Sequence, residues 1–466
     1  MQVFNYSGPE FNPFGDEGLI LGGDPGPWPA PRASGPLSAR LSLPGSKSLT
    51  NRELVLSAIA SGPSILRAPL HSRDTALMIQ ALRALGTSIV ELPGDNRFGA
   101  DLLITPAELA GGISIDCGLA GTVMRFIPPI AALALGPVSF DGDASARNRP
   151  MRTTVDSLRR LGVDVSDAGR GKLPFSLYGT GSVAGGEIEI DASASSQFVS
   201  GLLLAGARFE NGLTLRHTGS ELPSLAHIQM TITTLARRGV MVQNPEPGLW
   251  LVPPGPISGA EIAIEPDLSN AGPFLGAALV AGGSVTITGW PTETTQVGAE
   301  MASILTSMGA AVNFVETSAS TGELTVTGTG QLRGITLDNS SELAPTIAAL
   351  AALADSETVL TGIGHLRGHE TDRLAALTAE INAIGGDVTE TADGLIIRPR
   401  PLRGGLWHSY EDHRMATAGA IIGLAVDGIL IDDIATTAKT LPQFTELWSG
   451  QMLGIMTRTA NPLDLF

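Results

Sequence analysis

The sequence predicts an α/β protein of two domains, each assembled from three related βαβαββ units. Three observations lead there. Polar helix openings recur six times, at intervals of about 71–74 residues. After each opening come a small-residue apolar helix, a Thr/Val-rich strand and, in most copies, an amphipathic helix. The chain has 466 residues, about three times a ~150-residue domain, and two groups of ~200 residues fit that length better than one ring.

The openings are Ser48-Leu49-Thr50-Asn51-Arg52, Gly121-Thr122-Val123-Met124-Arg125, Ser195-Ser196-Gln197-Phe198, Asp267-Leu268-Ser269-Asn270, Ser340-Ser341-Glu342-Leu343 and Glu411-Asp412-His413-Arg414. Their Ser, Thr and Asp residues suit helix N-caps. The first helix of each copy reads as apolar nearly all round, as at residues 274–281, and such a helix must be buried on every side. Strands follow at residues 284–289 and 358–362, among others. The second helices are amphipathic and belong outside. They close on an apolar pair and a glycine, at residues 82–86, 158–162, 235–239 and 381–385. Glycine there supplies the left-handed backbone that ends a helix. The period exceeds the 20–50 residues of ordinary solenoid units.

Residues 1–28 read as a flexible extension, rich in Gly, Pro, Asn and acids. They lack the basic and apolar regions of a secretory signal. With 43% apolar residues the chain can build large cores. Its net charge of −17 offers no basic surface to displace counterions, which argues against nucleic acid as a partner. Few aromatics (5%) argue against a base-stacking platform. Cys117 is the single cysteine, so neither a disulfide nor a structural zinc site is expected, in keeping with a cytoplasmic protein. No unbroken apolar run of 18 residues occurs, so no membrane span is expected.

Only three lysines occur, Lys47, Lys172 and Lys439, against 26 arginines. A composition that swaps Lys for Arg leaves its remaining lysines as candidates for point-charge phosphate contact or proton exchange. Lys47, Arg52, Arg125 and Arg414 cluster at helix openings. Cations are disfavoured at a helix N-terminus, so capping does not explain them, and an anion should lie between them. Pro44-Gly45-Ser46-Lys47-Ser48 is not a Walker A loop, because Ser46 and Leu41 stand where that motif needs glycine. The run from His365 to Arg373 packs six titratable side chains into nine residues. It suits a solvated loop or a general acid, Glu370, held beside an anion clamp, Arg373. His365 and His369 lack a third ligand for metal. Asp412-His413-Arg414-Met415 suits a capped helix or another Arg clamp.

Taken together, these residues resemble the family of 3-phosphoshikimate 1-carboxyvinyltransferase, or EPSP synthase. The carriers, in order, are Leu43-Pro44-Gly45-Ser46-Lys47-Ser48 with Asn51-Arg52, Ala120-Gly121-Thr122 with Met124-Arg125, Asn148-Arg149-Pro150-Met151, Ser195-Ser196-Gln197-Phe198, Glu370-Thr371-Asp372-Arg373, Asp412-His413-Arg414-Met415 and Thr437-Ala438-Lys439-Thr440. The resemblance runs from about Pro29 to near Trp448. It implies a two-domain inside-out α/β barrel of the enolpyruvyl transferase kind. One domain would span 46–265, the other 29–45 plus 266–466, with hinges near 45 and 265. The reaction implied moves the enolpyruvyl group of phosphoenolpyruvate to the 5-hydroxyl of shikimate 3-phosphate and releases phosphate. It needs no metal and no organic cofactor, and a monomer is expected. The family is the target of glyphosate.

By motif position, Lys47, Ser48, Arg52, Ser195, Ser196, Gln197, Ser224, Glu342 and His369 would contact shikimate 3-phosphate. Lys47, Gly121, Arg149, Gln197, Arg373, Arg414 and Lys439 would hold phosphoenolpyruvate. Lys47, Glu342, Glu370 and Lys439 would carry the chemistry, with Glu342 as base for the hydroxyl. A side chain at Gly121 would crowd phosphoenolpyruvate or its mimics. Some positions depart from the family habit: Glu342 for Asp, His369 for Lys, His365 for Asn, and His227 where a Tyr often stacks on the shikimate ring. The rivals are the sister transferase acting on UDP-N-acetylglucosamine and a non-catalytic anion-binding protein of the same fold. The first usually carries a reactive loop Cys, whereas Cys117 reads as structural; the second should have lost its acid–base groups.

Overall fold

Six small sheets, each closed by a buried helix, organise the computed structural model, which describes residues 26–94 and 97–455. Five sheets have four strands and one has three. In all six, the strand after the buried helix has a parallel partner; in four that partner is the strand just before the helix, and in two it is not. The other edge of the strand after the helix is antiparallel, which a short connection can make; the parallel edge needs the helical crossover.

Two of these parallel strands come from far away in sequence. Leu37–Leu41 lies beside Gly283–Pro291, and Glu261–Ala263 lies beside Ser64–Arg67. The exchange sorts the apolar residues into two large cores. One gathers residues 54–257, and the other gathers 37–43 with 268–452. The chain crosses between them twice, side by side. Gly45 bridges Pro266, Ser46 N donates to the Glu265 carbonyl (2.8 Å), and Asp267 N donates to the Pro44 carbonyl (2.9 Å).

The six buried helices are Lys47–Ala58, Gly121–Ala131, Gln197–Gly206, Leu268–Ala281, Ala344–Ala351 and His413–Gly423. Five follow the expected apolar pattern. Lys47–Ala58 does not: it is buried, yet carries Thr50, Asn51, Arg52, Glu53 and Ser57 inside. Burial is tolerable because partners were buried too. Arg238 grips Glu53 (2.7 Å) and Ser57 (2.8 Å), and Asn51 donates to Thr122 (2.7 Å). The amphipathic helices Arg73–Ala84, Arg152–Arg160, Leu225–Arg237, Met301–Ser307 and Arg373–Ala383 pack outside them, and the sixth unit has the 3₁₀ turn Ile434–Lys439 followed by the π-helix Glu446–Met452.

The sixth unit also has no antiparallel hairpin of its own, and its free edge is filled by Trp28–Pro29, paired with Ile431 and Leu430. Trp28 therefore belongs to a sheet and not to the extension expected over residues 1–28; residues 1–25 lie outside the described residues. Among the described residues no helix is long and apolar enough to cross a membrane.

Candidate active site

The N-termini of buried helices from both cores meet at one cavity of about 100 Å³. Lys47, Ser48 and Arg52 enter on the helix Lys47–Ala58, whose N-cap is Ser46. Gly121 and Arg125 enter on Gly121–Ala131, and Ser195, Ser196 and Gln197 at the tip of Gln197–Gly206. Arg149 follows a 3₁₀ turn, Ala146–Asn148, and Ser224 precedes Leu225–Arg237. The other core supplies Glu342, His369, Glu370, Arg373 and Arg414. All these sequence-predicted residues line the cavity. Lys439 does not: it stands behind Glu370, donating to it at 2.7 Å and to the Leu119 carbonyl at 3.3 Å.

The cations divide into two groups. Arg373 and Arg414 have carboxylate partners. Arg373 is held by both oxygens of Asp412 (2.7 and 3.1 Å) and reaches Glu370 (3.0 Å); Arg414 reaches Glu342 (3.1 Å). Asp412 also caps its own helix through Arg414 N, as the capped-helix reading of that motif expected. Lys47 touches Asp74 at 3.3 Å. Among the described residues Arg52, Arg125 and Arg149 have no carboxylate partner, although all three are buried. Arg52 spends its donors on Thr231, Ser48 O and His227 O. Arg125 Nε and Arg149 Nε bond to nothing. Burial lowers Arg52 to about 9 and Arg125 well below its usual range, with Arg149 repelling the latter. Buried charge of one sign calls for an anionic ligand.

Three carboxylates line the cavity; Asp267 accepts from Asn270 N and Lys47 N, and Glu342 and Glu370 face this positive wall. Burial pushes Glu342 up, but His227, Arg414, Ser269 and Lys47 outweigh it and hold the group at about 2. Its Oε1 accepts from Ser269 Oγ at 2.6 Å. Burial likewise raises Glu370, and Lys439, Arg373 and Arg149 bring it well below the usual carboxylate range. His369 is pushed well below its usual range by burial and by Arg373, so it is neutral at pH 7; it accepts from Arg373 Nη1 at 3.3 Å. Burial and Arg373 lower His365 to about 4.

A Cβ on Gly121 would sit 3.0 Å from both Arg149 Nη2 and Gln197 Oε1, so glycine is what lets those groups converge. Sequence reasoning missed Asp74, Ser269, His413 and Thr440. Ser269 lies in the fourth opening, His413 in the sixth and Thr440 beside Lys439 in the last motif, so each had a signal; Asp74 had none. Arg125 was marked only as a cation at a helix tip. Among the described residues no group of three His, Cys, Asp or Glu side chains could hold a metal ion.

Residues 31–448 match the family model of EPSP synthase (3-phosphoshikimate 1-carboxyvinyltransferase). The chain belongs to that family. It is 56% identical to the 3-phosphoshikimate 1-carboxyvinyltransferase of Kocuria rhizophila over 430 residues, covering 91% of this chain and 96% of the relative. An EPSP synthase structure from Acinetobacter baumannii superposes with a TM-score of 0.73 at 27% identity, covering 91% of this chain and 98% of that one. The enolpyruvyl transferase NikO of Streptomyces tendae shares the fold, with a TM-score of 0.69 at 17% identity over 90% of this chain and 96% of that one. The inside-out α/β architecture of this EPSP synthase family member is thus the expected one.

Proposed function

We propose that this enzyme moves the enolpyruvyl group of phosphoenolpyruvate onto the 5-hydroxyl of shikimate 3-phosphate. The observation that carries the reading is the set of buried guanidiniums, Arg52, Arg125 and Arg149, with no carboxylate partner among the described residues, facing two separate carboxylates. One cavity thus offers room for anions together with an acid and a base.

The roles follow from position. Lys47, Ser48, Arg52, Ser195, Ser196 and Ser224 hold the phosphate and hydroxyls of shikimate 3-phosphate, with Gln197 and His369 beside them. Lys47, Arg149, Arg373 and Arg414 hold the donor, where forked guanidiniums suit phosphate and carboxylate. Glu342, already ionised, takes the 5-hydroxyl proton as that oxygen attacks the donor's C2. The methylene carbon gains a proton in the same addition. Glu370 is the carboxyl that contacts both Lys439 and Arg373. A donor phosphate beside those cations weakens their hold on Glu370 and raises its pKa, so it can carry that proton. The tetrahedral adduct then returns a methyl proton to the Glu370 carboxylate as its C–O bond to phosphate breaks and phosphate leaves. Lys439 holds Glu370 and adds its charge to the departing phosphate.

The two cores act as domains, 46–265 and 29–45 plus 266–466, that close about the paired strands at Gly45 and Pro266. The same reading makes the enzyme a cytoplasmic monomer with no cofactor. Cys117 is fully buried and burial pushes its thiol up to about 12, which disfavours the sister activity's reactive cysteine. The test is phosphate release from phosphoenolpyruvate, with shikimate 3-phosphate and UDP-N-acetylglucosamine supplied separately, with and without chelator. Chelator-independent release with the first acceptor alone is expected. Release only with the sugar nucleotide, or with neither, would overturn the proposal.

A further inference from the structure

His227 and Glu342 come from opposite cores. His227 sits in the first turn of Leu225–Arg237 and Glu342 in the 3₁₀ turn Ser341–Leu343. His227 Nε2 lies 3.4 Å from Glu342 Oε2, and its side chain is only 15% exposed. The other carboxylate oxygen, Oε1, is held entirely from its own core, by Ser269 Oγ (2.6 Å) and Arg414 Nη2 (3.1 Å). Oε2 therefore has its near contact across the cleft.

The neighbouring backbone reinforces that contact. Ser224 and Ser341, each just upstream of one partner, both adopt left-handed backbone (φ 53° and 48°), and their hydroxyls hydrogen-bond at 2.9 Å. Left-handed backbone in a non-glycine residue costs free energy, which persists only where surroundings enforce it. His227 is also fixed from behind, because its carbonyl accepts from Arg52 Nη2 at 2.9 Å. One residue is thus tied through its backbone carbonyl to a guanidinium assigned to shikimate 3-phosphate, and its imidazole lies against the carboxylate assigned as base.

We infer that His227 is a positioning residue for Glu342: its neutral imidazole donates from Nε2–H to Oε2 across the closed cleft, aiming the base at the acceptor hydroxyl. This deepens the reaction proposed above and rests on it. Glu342, Lys47, Arg52, Arg414 and His365 are the charged or titratable groups that act on His227 or are acted on by it. Burial, with Arg52, Arg414 and Lys47, lowers the imidazole below its ordinary range against the pull of Glu342, which suits it as a donor and not as a proton acceptor. The longer Glu in place of the family's usual Asp fits this pairing, since it extends the carboxylate by one methylene.

Two measurements test it. The first is the ring tautomer, read by ¹⁵N NMR of histidine-labelled protein. An Nε2–H tautomer whose signal moves in Glu342→Gln is expected; an Nδ1–H tautomer indifferent to Glu342→Gln would overturn the inference. The second is turnover. His227→Phe should lower kcat at least tenfold with KM for shikimate 3-phosphate changed less than threefold. His227→Gln, whose amide nitrogen falls near the position of Nε2, should recover to within threefold of the parent. In a Glu342→Asp background, where the carboxylate withdraws from reach, His227→Phe should cost less than twofold more. Full additivity there, or failure of Gln to rescue, counts against the inference. If the unmodified enzyme does not turn over this substrate pair, the reaction proposal falls, and the tautomer still decides whether the His227–Glu342 contact exists.

Discussion

Lys439 donates to Glu370 at 2.7 Å and, through the same ammonium, to the Leu119 carbonyl of the opposite core at 3.3 Å. One of only three lysines in the chain therefore both tunes a buried carboxylate and joins the two halves. Arginine could not substitute, because its planar fork would not seat as a point charge between two acceptors.

Lys439→Met should remove the leading cation that depresses Glu370. The carboxyl then rises toward its ordinary range, and the alkaline limb of the kcat–pH profile, set by Glu370 starting protonated, should move upward. Turnover at pH 7 should fall by about 10²–10⁴-fold, the usual worth of a positioned proton-transfer group. Far-UV circular dichroism should be unchanged. Near-normal turnover would dismiss the role.

Gly121→Ala puts a methyl group 3.0 Å from Arg149 Nη2 and Gln197 Oε1, both far ends of flexible side chains. The fold should survive with little change in Tm. KM for phosphoenolpyruvate should rise at least fivefold while kcat drops less. Steady-state kinetics with the donor varied would show it; an unchanged KM would contradict the crowding.

Arg238 and Glu53 form an ion pair with side chains 0% and 1% exposed. Arg238→Met strands Glu53, whose pKa burial already raises, and should cost about 3–5 kcal/mol in urea unfolding. Adding Glu53→Leu should recover most of the loss, because no lone charge then remains inside. A double variant as weak as the single one would show that the pair is worth more than its desolvation cost.

Asp167 is held at about 2, chiefly by the Arg159 hydrogen bond and by Gly171 and Gly169 N–H groups acting against burial. The folded pKa lies below the unfolded one, so the unfolded chain binds the extra proton between about pH 2 and 4. The stabilisation is present above that window and is lost as pH falls through it. Asp167→Asn should therefore cost about 2 kcal/mol at pH 7, discounted for the exposed Arg159, and almost nothing near pH 2. The Gly171 carbonyl accepts from Met151 N at 2.9 Å, two residues beyond Arg149, so donor affinity should weaken as well. Urea titrations at the two pH values would check the sign.

The repeat was legible because buried helices need apolar residues at every turn and their tips need caps, and both leave marks at fixed spacing. The polar inner face of Lys47–Ala58 was not. Glu53 and Arg238 stand 185 positions apart, and nothing local announces that each neutralises the other. Trp28 was misread for a similar reason: its strand pairs with Ile431, near the other end of the chain. Lys439 was singled out as a candidate, but its place behind Glu370 was invisible in the order of residues.

Sequence by itself determined the six units, the helix tips that line the cavity and the residue types placed on them. These are local matters of periodicity, capping and charge. Only the tertiary structure decided which cations lack a carboxylate, which core supplies each carboxylate's second contact, and where the halves exchange strands. Those outcomes depend on distances between residues far apart in the chain, which backbone propensity cannot encode and packing alone sets.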